Sequence, residues 1–469
     1  MEFFLGLLAT MVLALSCTVP SCMSTSSDSN NGIGLNSDGA FQFPVFHKNH
    51  PSFSSWIQTS NLPEASVTRD DSLRENVFFM AISLGTPAVS NLVTIDTGSS
   101  LSWVQCGHCG MRCRWQPGST RPVFNPFNSS SYQNVRCSTE ACHAIHKSTG
   151  ITSVCVKDAC LYRIRYALGE YSVGYLGKDK LTLPNSYAID DFIFGCGGDN
   201  LYNGLNAGII GFGDESYSFF NQVAQQSNYR AFSYCFPSNH ESEGFLSIGP
   251  YARDERLMFT GLISYSHLPF YAIQQLDMMV NGISLEIDPR IYSTAVTVID
   301  SGTTDSFILS PVFHALDKAV TTAMLAKGYV RGSAANKICF VTSGDSINWN
   351  DLPAVEMKFV TSTLVLRMEN VFSVNTDDSI CLTFQPDDAV VKGVQILGNR
   401  ALRSFRVVYD IQDRIFGFQA VKSHIHSNYF LDRQGSPGQE ESLYLRSGDL
   451  LASSRQIGRP ELSPVELQG

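Results

Sequence analysis

The stretch that decides the fold is residues 92–104, which read LVTIDTGSSLSWV. Four strand-forming residues lead into Asp96, and a hydroxyl residue, a glycine and two more hydroxyl residues follow it. Such residues after an apolar strand are typical of a tight turn that is rich in hydrogen-bond donors. The pattern therefore places one carboxylate at a strand end, inside a turn that can hold it in a fixed orientation.

The same pattern occurs a second time in residues 295–304, which read AVTVIDSGTT. Its acid is Asp300, so that 300 − 96 = 204 positions separate the two acids. Each copy is followed by an apolar run that ends in glycine, at residues 207–211 and 394–398. Glycine allows another backbone to approach closely. The repeat predicts two lobes, each with one Asp-containing turn.

Length and composition favour a mostly β protein of the secretory route. The 469 residues exceed what one core usually organises. Charged residues make up only 16% of the chain, and the net charge of −10 argues against nucleic-acid binding, because no basic stripe is available. Beyond the N-terminus no run approaches the roughly 18 apolar residues of a membrane span. Asn128 begins a glycosylation sequon in a polar loop.

The pattern divides the chain into five segments. Residues 1–22 contain a short apolar run and are predicted to be a signal peptide, with a buried helix as the alternative. Residues 23–75 are rich in Ser, Asn and Pro and are predicted to be a pro-segment, with a permanent disordered arm as the alternative. Residues 76–255 would form an N-terminal lobe and residues 256–422 a C-terminal lobe. Residues 423–469 are polar and are predicted to be a disordered tail.

Three local patterns predict secondary structure near the two turns. Residues 77–84 form an apolar strand that ends in a Gly-Thr-Pro turn. Residues 161–183 alternate as a hairpin, with Tyr166 where the first strand meets the tip. Residues 310–328 have the spacing of an amphipathic helix, with Pro at the start and Gly at the end.

Cysteine usage indicates an oxidising compartment. Eight of the 13 cysteines fall between Cys106 and Cys196, a density that is typical of a disulfide-stapled segment. Cys106, Cys109 and Cys113, together with His108, could instead bind zinc. Further cysteines nearby favour bridges over a metal site.

These motifs resemble those of the pepsin-like aspartic proteases, and more narrowly those of the nepenthesin-type plant branch. The resemblance runs from about residue 77 to residue 421 and is carried by residues 96–106 (DTGSSLSWVQC), 160–162 (CLY), 194–197 (FGCG), 232–235 (FSYC) and 300–304 (DSGTT). It implies a mostly β, bilobal pepsin-like acid protease fold with the active-site cleft between two β lobes. It also implies a monomeric, secreted endopeptidase that acts on polypeptide substrates, in the apoplast or the vacuole, without metal or cofactor.

The resemblance also implies roles for individual residues. The catalytic pair would be Asp96 and Asp300, and Tyr166 would be the flap tyrosine with Trp103 as its hydrogen-bond partner. The residues that would support the pair are Thr97, Gly98, Ser99, Ser301, Gly302 and Thr303. The family's cysteine order implies the disulfides Cys106–Cys109, Cys113–Cys196, Cys137–Cys160, Cys142–Cys155 and Cys339–Cys381.

The chain departs from the family pattern in three places. The flap usually reads Tyr-Gly-Asp-Gly-Ser, whereas residues 166–170 read YALGE, so altered flap closure and specificity are expected. The family's last cysteine is missing from the C-terminal end, which predicts that Cys235 is unpaired. Asp305 stands where the family usually has an apolar residue, and it is either a solvated turn residue or a third carboxylate that perturbs the pair.

Two carboxylates within hydrogen-bond reach cannot both ionise at low free-energy cost, so they share one proton, as in aspartic proteases generally. The pair then supplies a base for water and an acid for the carbonyl oxygen. The leading hypothesis is a secreted acid endopeptidase. The alternative is a weakly active or inactive protease-like binding protein that inhibits microbial glycosidases. Because both Asp motifs are intact, the enzyme is favoured.

Overall fold

The computed structural model describes residues 34–35, 39–47, 77–107, 124–149, 154–166, 169–183, 187–201, 207–238, 242–253, 255–263, 269–334, 337–342, 347–374, 379–387 and 393–421. The predicted signal peptide, the predicted tail, Cys109 and Cys113 lie outside these residues. In the described part of the chain, no helix combines the length and the apolar character needed to cross a membrane.

The described chain is mostly β, as predicted. The strands of the first half are β1 Gly34–Leu35, β2 Phe41–His47, β3 Phe78–Leu84, β4 Val89–Asp96, β5 Trp103–Gln105, β6 Gln133–Asn134, β7 Cys155–Val156, β8 Ala159–Arg165, β9 Tyr171–Thr182, β10 Ala188–Leu201, β11 Gly208–Gly211, β12 Ala231–Cys235, β13 Gly244–Ile248 and β14 Met258–Gly261. The strands of the second half are β15 Ala272–Ile273, β16 Gln275–Val280, β17 Ile283–Ser284, β18 Val296–Asp300, β19 Ser306–Ile308, β20 Val330–Ala334, β21 Lys337–Val341, β22 Val355–Phe359, β23 Thr363–Leu366, β24 Phe372–Val374, β25 Ser379–Leu382, β26 Phe384–Pro386, β27 Val394–Gly398, β28 Phe405–Asp410 and β29 Ile415–Ala420.

Helices are few and cover the sheets. The α-helices are α1 Glu140–Thr149, α2 Phe219–Ser227, α3 Pro289–Ser293, α4 Ser310–Ala326 and α5 Met368–Val371, and 3₁₀ helices span Pro126–Asn128, Trp349–Asp351 and Asn399–Leu402. Helix α4 confirms the amphipathic pattern at residues 310–328. Its buried side chains recur every four residues, from Val312 to Met324, so one face packs against the core.

One large sheet is shared by both halves of the chain. Its strand order is β14-β29-β28-β12-β13-β2-β3-β4-β11-β5-β10-β9-β8-β7. Strand β12 of the first half pairs with β28 of the second half, with Phe232 opposite Tyr409. The second half adds the smaller sheets β15-β18-β27-β19-β26, β17-β16-β22-β23 and β20-β21-β25-β24. The two halves are therefore joined by backbone hydrogen bonds as well as by side-chain packing.

Strand β2 lies inside the range that the sequence predicts to be a removable pro-segment. It pairs with β13 on one side and with β3 on the other, and Phe41, Phe43 and Val45 are buried. Burial of each such side chain contributes roughly 1.5–3 kcal/mol. This part of the predicted pro-segment is thus an integral strand of the shared sheet.

The two Asp motifs occupy equivalent places. Strand β4 ends at Asp96 and runs parallel to β11, which places Gly211 opposite Asp96. Strand β18 ends at Asp300 and runs parallel to β27, which places Gly398 opposite Asp300. Each apolar run that ends in glycine is therefore the neighbouring strand of an Asp turn.

The structure corrects most of the expected disulfides. Cys106 is bonded to Cys196, with a Cα–Cα distance of 5.3 Å. The expected bonds Cys106–Cys109 and Cys113–Cys196 are therefore wrong. The reason is the parallel pairing of β5 with β10, which places Val104 beside Cys196. Cys106 follows two residues later and so lies close enough to Cys196 to form the bond. This bond also excludes a zinc site in which Cys106 is a thiolate ligand.

The four cysteines of the α1 region pair differently from the expectation as well. The bonds are Cys137–Cys155 and Cys142–Cys160, not Cys137–Cys160 and Cys142–Cys155. Cys142 lies on the buried face of α1 and Cys160 is buried on β8, so packing of this helix on the strand selects the pair. The expected bond Cys339–Cys381 is confirmed.

The prediction that Cys235 is unpaired is wrong. Cys235 is disulfide-bonded, and the remaining described cysteines are already bonded to one another. Its partner therefore lies outside the described residues. The Cys235 side chain is fully buried beside Val421. The sequence argument failed because it considered a partner only at the C-terminal end.

The position of β2 generates a test. A site for a specific protease, placed between residues 50 and 70, allows the chain to be cut between β2 and β3. We expect the fragment that carries β2 to stay bound at neutral pH, because it is hydrogen-bonded on both sides and its apolar face is buried. Size-exclusion chromatography followed by mass spectrometry would find both fragments in one peak, with separation only in denaturant under reducing conditions. Separation under native reducing conditions would contradict this.

Candidate active site

The two Asp turns are locked together by reciprocal hydrogen bonds. The backbone N–H of Thr97 donates to Ser301 Oγ at 2.9 Å, and the N–H of Ser301 donates to Thr97 Oγ1 at 2.9 Å. Thr97 Oγ1 donates in turn to the carbonyl of Ile299, and Ser301 Oγ donates to that of Ile95, each at 2.8 Å. All four bonds are buried, where such bonds are strongest. They hold the two strand ends at a fixed separation.

Glycines make room for the carboxylates. A Cβ atom at Gly98 would lie 2.5 Å from Asp300 Cγ, and a Cβ atom at Gly302 would lie 2.5 Å from Asp96 Oδ1. Each turn therefore contains a glycine where the carboxylate of the other turn approaches. The sequence argument for close approach is borne out by these contacts, and any larger residue would push the carboxylates apart.

Matching donors orient each carboxylate. Ser99 Oγ donates to Asp96 Oδ2 at 2.5 Å and the N–H of Gly98 donates to Asp96 Oδ1 at 2.9 Å. In the second turn Thr303 Oγ1 donates to Asp300 Oδ2 at 2.5 Å and the N–H of Gly302 donates to Asp300 Oδ1 at 2.8 Å. The matching donors therefore hold the two acids in equivalent orientations.

The electrostatic environment favours a neutral Asp96. This residue is only 5% exposed, and burial, followed by the nearby charge of Asp300, raises its pKa from 3.8 to about 8. The hydroxyl of Ser99 and the N–H of Gly98 oppose the shift. Two acids within hydrogen-bond reach of each other, one of them protonated across the acidic range, are the arrangement that shares one proton.

Buried tyrosines form the floor beneath the turns. Tyr234, Tyr271 and Tyr409 are fully buried, and their rings pack with centroids 5.1 Å apart for Tyr271 and Tyr409 and 6.1 Å apart for Tyr234 and Tyr409. Burial raises the pKa of Tyr409 well above its ordinary value, while Thr97 lowers it by hydrogen bonding. The rings make this floor apolar, and the hydroxyl groups of Tyr234 and Tyr409 lie near the paired turns.

The predicted flap contact is present. Trp103 Nε1 donates to the hydroxyl of Tyr166 at 2.8 Å. Tyr166 lies at the end of the β8–β9 hairpin, where its N–H donates to the carbonyl of Glu170 at 2.8 Å. Residues 167 and 168, which carry the departure from the family pattern, lie outside the described part. The Trp103–Tyr166 bond thus connects this hairpin to the start of β5, just after the Asp96 turn.

Asp305 has neither of the two roles that the sequence suggested. Its carboxylate lies 3.2 Å from Lys337 Nζ and 3.5 Å from Arg400 Nε, and it accepts a hydrogen bond from Gln385 at 3.1 Å. It is a partly buried ion-pair partner, because its side chain is only 14% exposed. The charge it could have applied to the pair is taken up by these cations.

The remaining predicted positions lie away from the acids. Asn128 is exposed at the end of a 3₁₀ helix, where a glycan would meet no packing obstacle. Among the described residues, Cys142, His146 and Cys160 group as metal ligands would. The two sulfurs form a disulfide, so they are not available as thiolates.

Sequence reasoning missed two groups around the turns. Ser102 accepts a hydrogen bond from the N–H of Gly211, and Ser306 accepts one from that of Gly398, both at 3.1 Å. Both serines stand six positions after an acid, so the repeat could have revealed them. Asn399 and Arg403, behind the Asp300 turn, have no counterpart in the first copy and gave no signal.

Comparisons with known proteins agree with this geometry. Residues 78–250 match the family model described as xylanase inhibitor N-terminal, and residues 270–420 match that described as xylanase inhibitor C-terminal. The protein edgp has a similar solved structure, with a TM-score of 0.62 at 18% identity, over 81% of this chain and 95% of that one. Basic 7S globulin from soybean has a TM-score of 0.60 at 17% identity, over 82% and 98%. These likenesses establish the fold, and the fold with its paired Asp turns defines the pepsin-like class.

Sequence relatives narrow the class. An aspartyl protease family protein of Arabidopsis thaliana is 32% identical over 372 residues, which cover 77% of this chain and 76% of that protein. Aspartic proteinase nepenthesin-1 of Nepenthes gracilis is 30% identical over 357 residues, which cover 74% and 78%. The chain belongs to this plant aspartyl protease family.

The raised pKa of Asp96 predicts how stability varies with pH. Below about pH 4 the carboxyl is protonated in both the folded and the unfolded chain, and as pH rises toward 8 only the unfolded chain ionises freely. The free energy of unfolding should therefore fall over this range. Asp96→Asn should remove much of this fall. Its free energy of unfolding relative to wild type should be a few kcal/mol higher at pH 8 than at pH 4, since one pKa unit is about 1.4 kcal/mol.

Urea unfolding at several pH values measures this effect. Asp288→Asn is the control, because Arg290 lowers the pKa of Asp288, so that its removal should weaken stability above pH 4 instead. A wild-type stability that is equal at pH 4 and pH 8, with no gain in Asp96→Asn, would show that the carboxyl ionises normally.

Proposed function

We propose that this protein is an aspartic endopeptidase that hydrolyses peptide bonds at acidic pH through a water activated by Asp96 and Asp300. The observation that supports this most is the reciprocal clearance of each carboxylate by the glycine of the other turn. A binding scaffold has no need for two acids in contact, and their mutual repulsion destabilises the fold unless a proton is shared.

The proposed chemistry follows from the shared proton. The ionised carboxylate takes a proton from a water molecule, whose oxygen forms a bond to the carbonyl carbon of the substrate. The neutral carboxyl donates its proton to the carbonyl oxygen as the carbonyl π bond breaks, which gives a tetrahedral diol. Collapse of the diol, with proton transfer to the leaving nitrogen, breaks the C–N bond. No covalent enzyme intermediate is required.

The alternative is a protease-like protein that binds and inhibits microbial glycosidases. The descriptions of the two matched family models favour it. Against it stand the intact donors on both carboxylates, Ser99 on one and Thr303 on the other. We also propose synthesis as a secreted precursor with a signal peptide and pro-segment, a glycan on Asn128, and a monomer in the apoplast or vacuole; the buried disulfides support the secretory route.

Digestion of a denatured protein substrate tests the proposed activity. We expect cleavage that is greatest in acid when the pH is varied from about 2 to about 8, and a loss of at least about a hundredfold in Asp96→Asn and in Asp300→Asn. Asp214→Asn is the matched control, because Asp214 is a half-buried carboxylate paired with Arg414 at 3.1 Å. A folded chain that keeps β2 but lacks the residues before it, and that cleaves nothing, would favour the inhibitor.

The Trp103–Tyr166 hydrogen bond makes a second prediction about activity. Tyr166→Phe removes one neutral hydrogen bond, so kcat/KM should fall by about fivefold, or about 1 kcal/mol. Trp103→Phe should have a similar effect, and the double variant should be little worse than either single one. Tyr187→Phe is the control, since its hydroxyl donates to the Gln226 carbonyl instead. Additive losses would contradict a functional contact.

A further inference from the structure

His146 is a buried histidine that touches the Cys142–Cys160 disulfide. It lies one turn after Cys142 on the same face of α1, and only 4% of it is exposed. Its Nδ1 lies 3.8 Å from Cys142 Sγ, and its Nε2 lies 3.6 Å from Cys160 Sγ. Within the described ranges, no other three His, Cys, Asp or Glu side chains bring their ligand atoms this close together. A disulfide needs no imidazole beside it, so the grouping fits a second state of the cysteine pair.

A backbone carbonyl fixes the tautomer of the His146 ring. The carbonyl oxygen of Leu161 lies 2.7 Å from His146 Nε2, and because a carbonyl only accepts, Nε2 carries the proton. The neutral ring then has its lone pair on Nδ1, the nitrogen next to Cys142 Sγ. Metal-bound histidines are oriented in this way, by donating their other N–H to a carbonyl or a carboxylate. The ring is therefore oriented as a ligand that would bind through Nδ1.

The distances fit a tetrahedral zinc site after one change. Zn–S and Zn–N bonds of about 2.3 and 2.0 Å at the tetrahedral angle place sulfur and nitrogen about 3.5 Å apart. Cys142 Sγ and His146 Nδ1 are already 3.8 Å apart. The two sulfurs would have to separate to about 3.8 Å. Rotation about the Cα–Cβ bonds permits this, because the Cα atoms of Cys142 and Cys160 stand 6.0 Å apart. Opening of the disulfide is thus the main change that the site requires.

The surroundings of the three residues suit a shielded site. Cys142 is 1% exposed and Cys160 is 0% exposed. They belong to a buried cluster whose larger members are Trp103, Tyr162 and Leu176. Such an apolar shell limits the access of solvent and of competing ligands to metal–thiolate bonds. Thiolate and imidazole ligands in this arrangement favour zinc over calcium or magnesium, which prefer oxygen.

We propose that the dithiol form of the Cys142–Cys160 pair is a Zn²⁺ site, with the two thiolates and His146 Nδ1 as ligands. Binding forms two Zn–S bonds and one Zn–N bond and releases the two thiol protons to water, and no electron is transferred. A water molecule takes the fourth position, as in other sites with three protein ligands. The metal binds the chain before the disulfide is oxidised, or after a dithiol reductant has opened it. In both states α1 stays linked to β8, the strand that leads to Tyr166.

Cobalt(II) is the probe, because its tetrahedral thiolate complexes absorb visible light and those of zinc do not. The full chain is reduced with a phosphine, the phosphine is removed, and Co²⁺ is added in the absence of oxygen. We expect a thiolate–cobalt absorption that Zn²⁺ abolishes, and no such absorption in the oxidised chain. A reduced wild-type chain without the absorption, or an oxidised chain with the same absorption, would overturn the proposal.

Single substitutions assign the absorption to these residues. Cys142→Ser should remove most of it, and His146→Gln should weaken Co²⁺ binding at least about tenfold. His143→Gln is the matched control, because His143 is exposed on the same helix and should change nothing. Cys106→Ser tests the other group of cysteines that reduction frees, and it should also leave the absorption unchanged. Equal affinity in His146→Gln, or a loss in Cys106→Ser but not in Cys142→Ser, would contradict the assignment.

A second measurement needs no variant and decides the question if a variant does not fold. X-ray absorption at the zinc edge counts the ligands in the reduced, zinc-loaded wild-type chain. We expect two sulfurs at about 2.3 Å and two nitrogen or oxygen ligands at about 2.0–2.1 Å. Three or four sulfurs would place the metal among other cysteines and overturn the proposal. No catalysis is measured, so failure of the proposed peptidase activity would leave this outcome unchanged.

Discussion

The structure depends on the reciprocal hydrogen bonds between Thr97 and Ser301. Two buried acids repel each other once both ionise, and the strands that carry them are separated by 204 positions in the sequence. Short turns cannot hold such a contact alone. The crossed bonds fix the two strand ends, and Gly98 and Gly302 leave room for the opposite carboxylates. The sheets that contain β4 and β18 position these strand ends.

Duplication of the motif does not make the two acids equal. The hydroxyl and amide donors match position for position, as Ser99 and Thr303 show. The residues behind these donors differ. Phe212 packs against Phe232 behind the Asp96 turn, whereas Asn399 binds both Arg403 and the carbonyl of Ser301 behind the Asp300 turn.

Local patterns were readable from the sequence, and long-range pairing was not. The Asp turns, the strand at residues 78–84 and the helix at 310–326 each follow from spacing within a short window. The disulfides depend on which strands become neighbours: Cys106 meets Cys196 only because β5 and β10 run side by side. The role of Asp305 was not predicted for the same reason, because its partners Lys337 and Arg400 come from distant elements. The family resemblance supplied the flap contact of Tyr166 and the bond Cys339–Cys381, but the other four disulfides that it implied are wrong.

Strand β2 connects the chemistry to the state of the N-terminal segment. In the order of the shared sheet it is the link between β13, which leads to the strands of the second half, and β3, which leads to β4 and Asp96. Any process that withdrew β2 would expose the edges of both neighbours and relax the connection between the halves. A cut on the C-terminal side of β2 would therefore allow loss of an inner strand of the shared sheet, whereas a cut on its N-terminal side would leave the pairing of β2 with β13 and β3 in place.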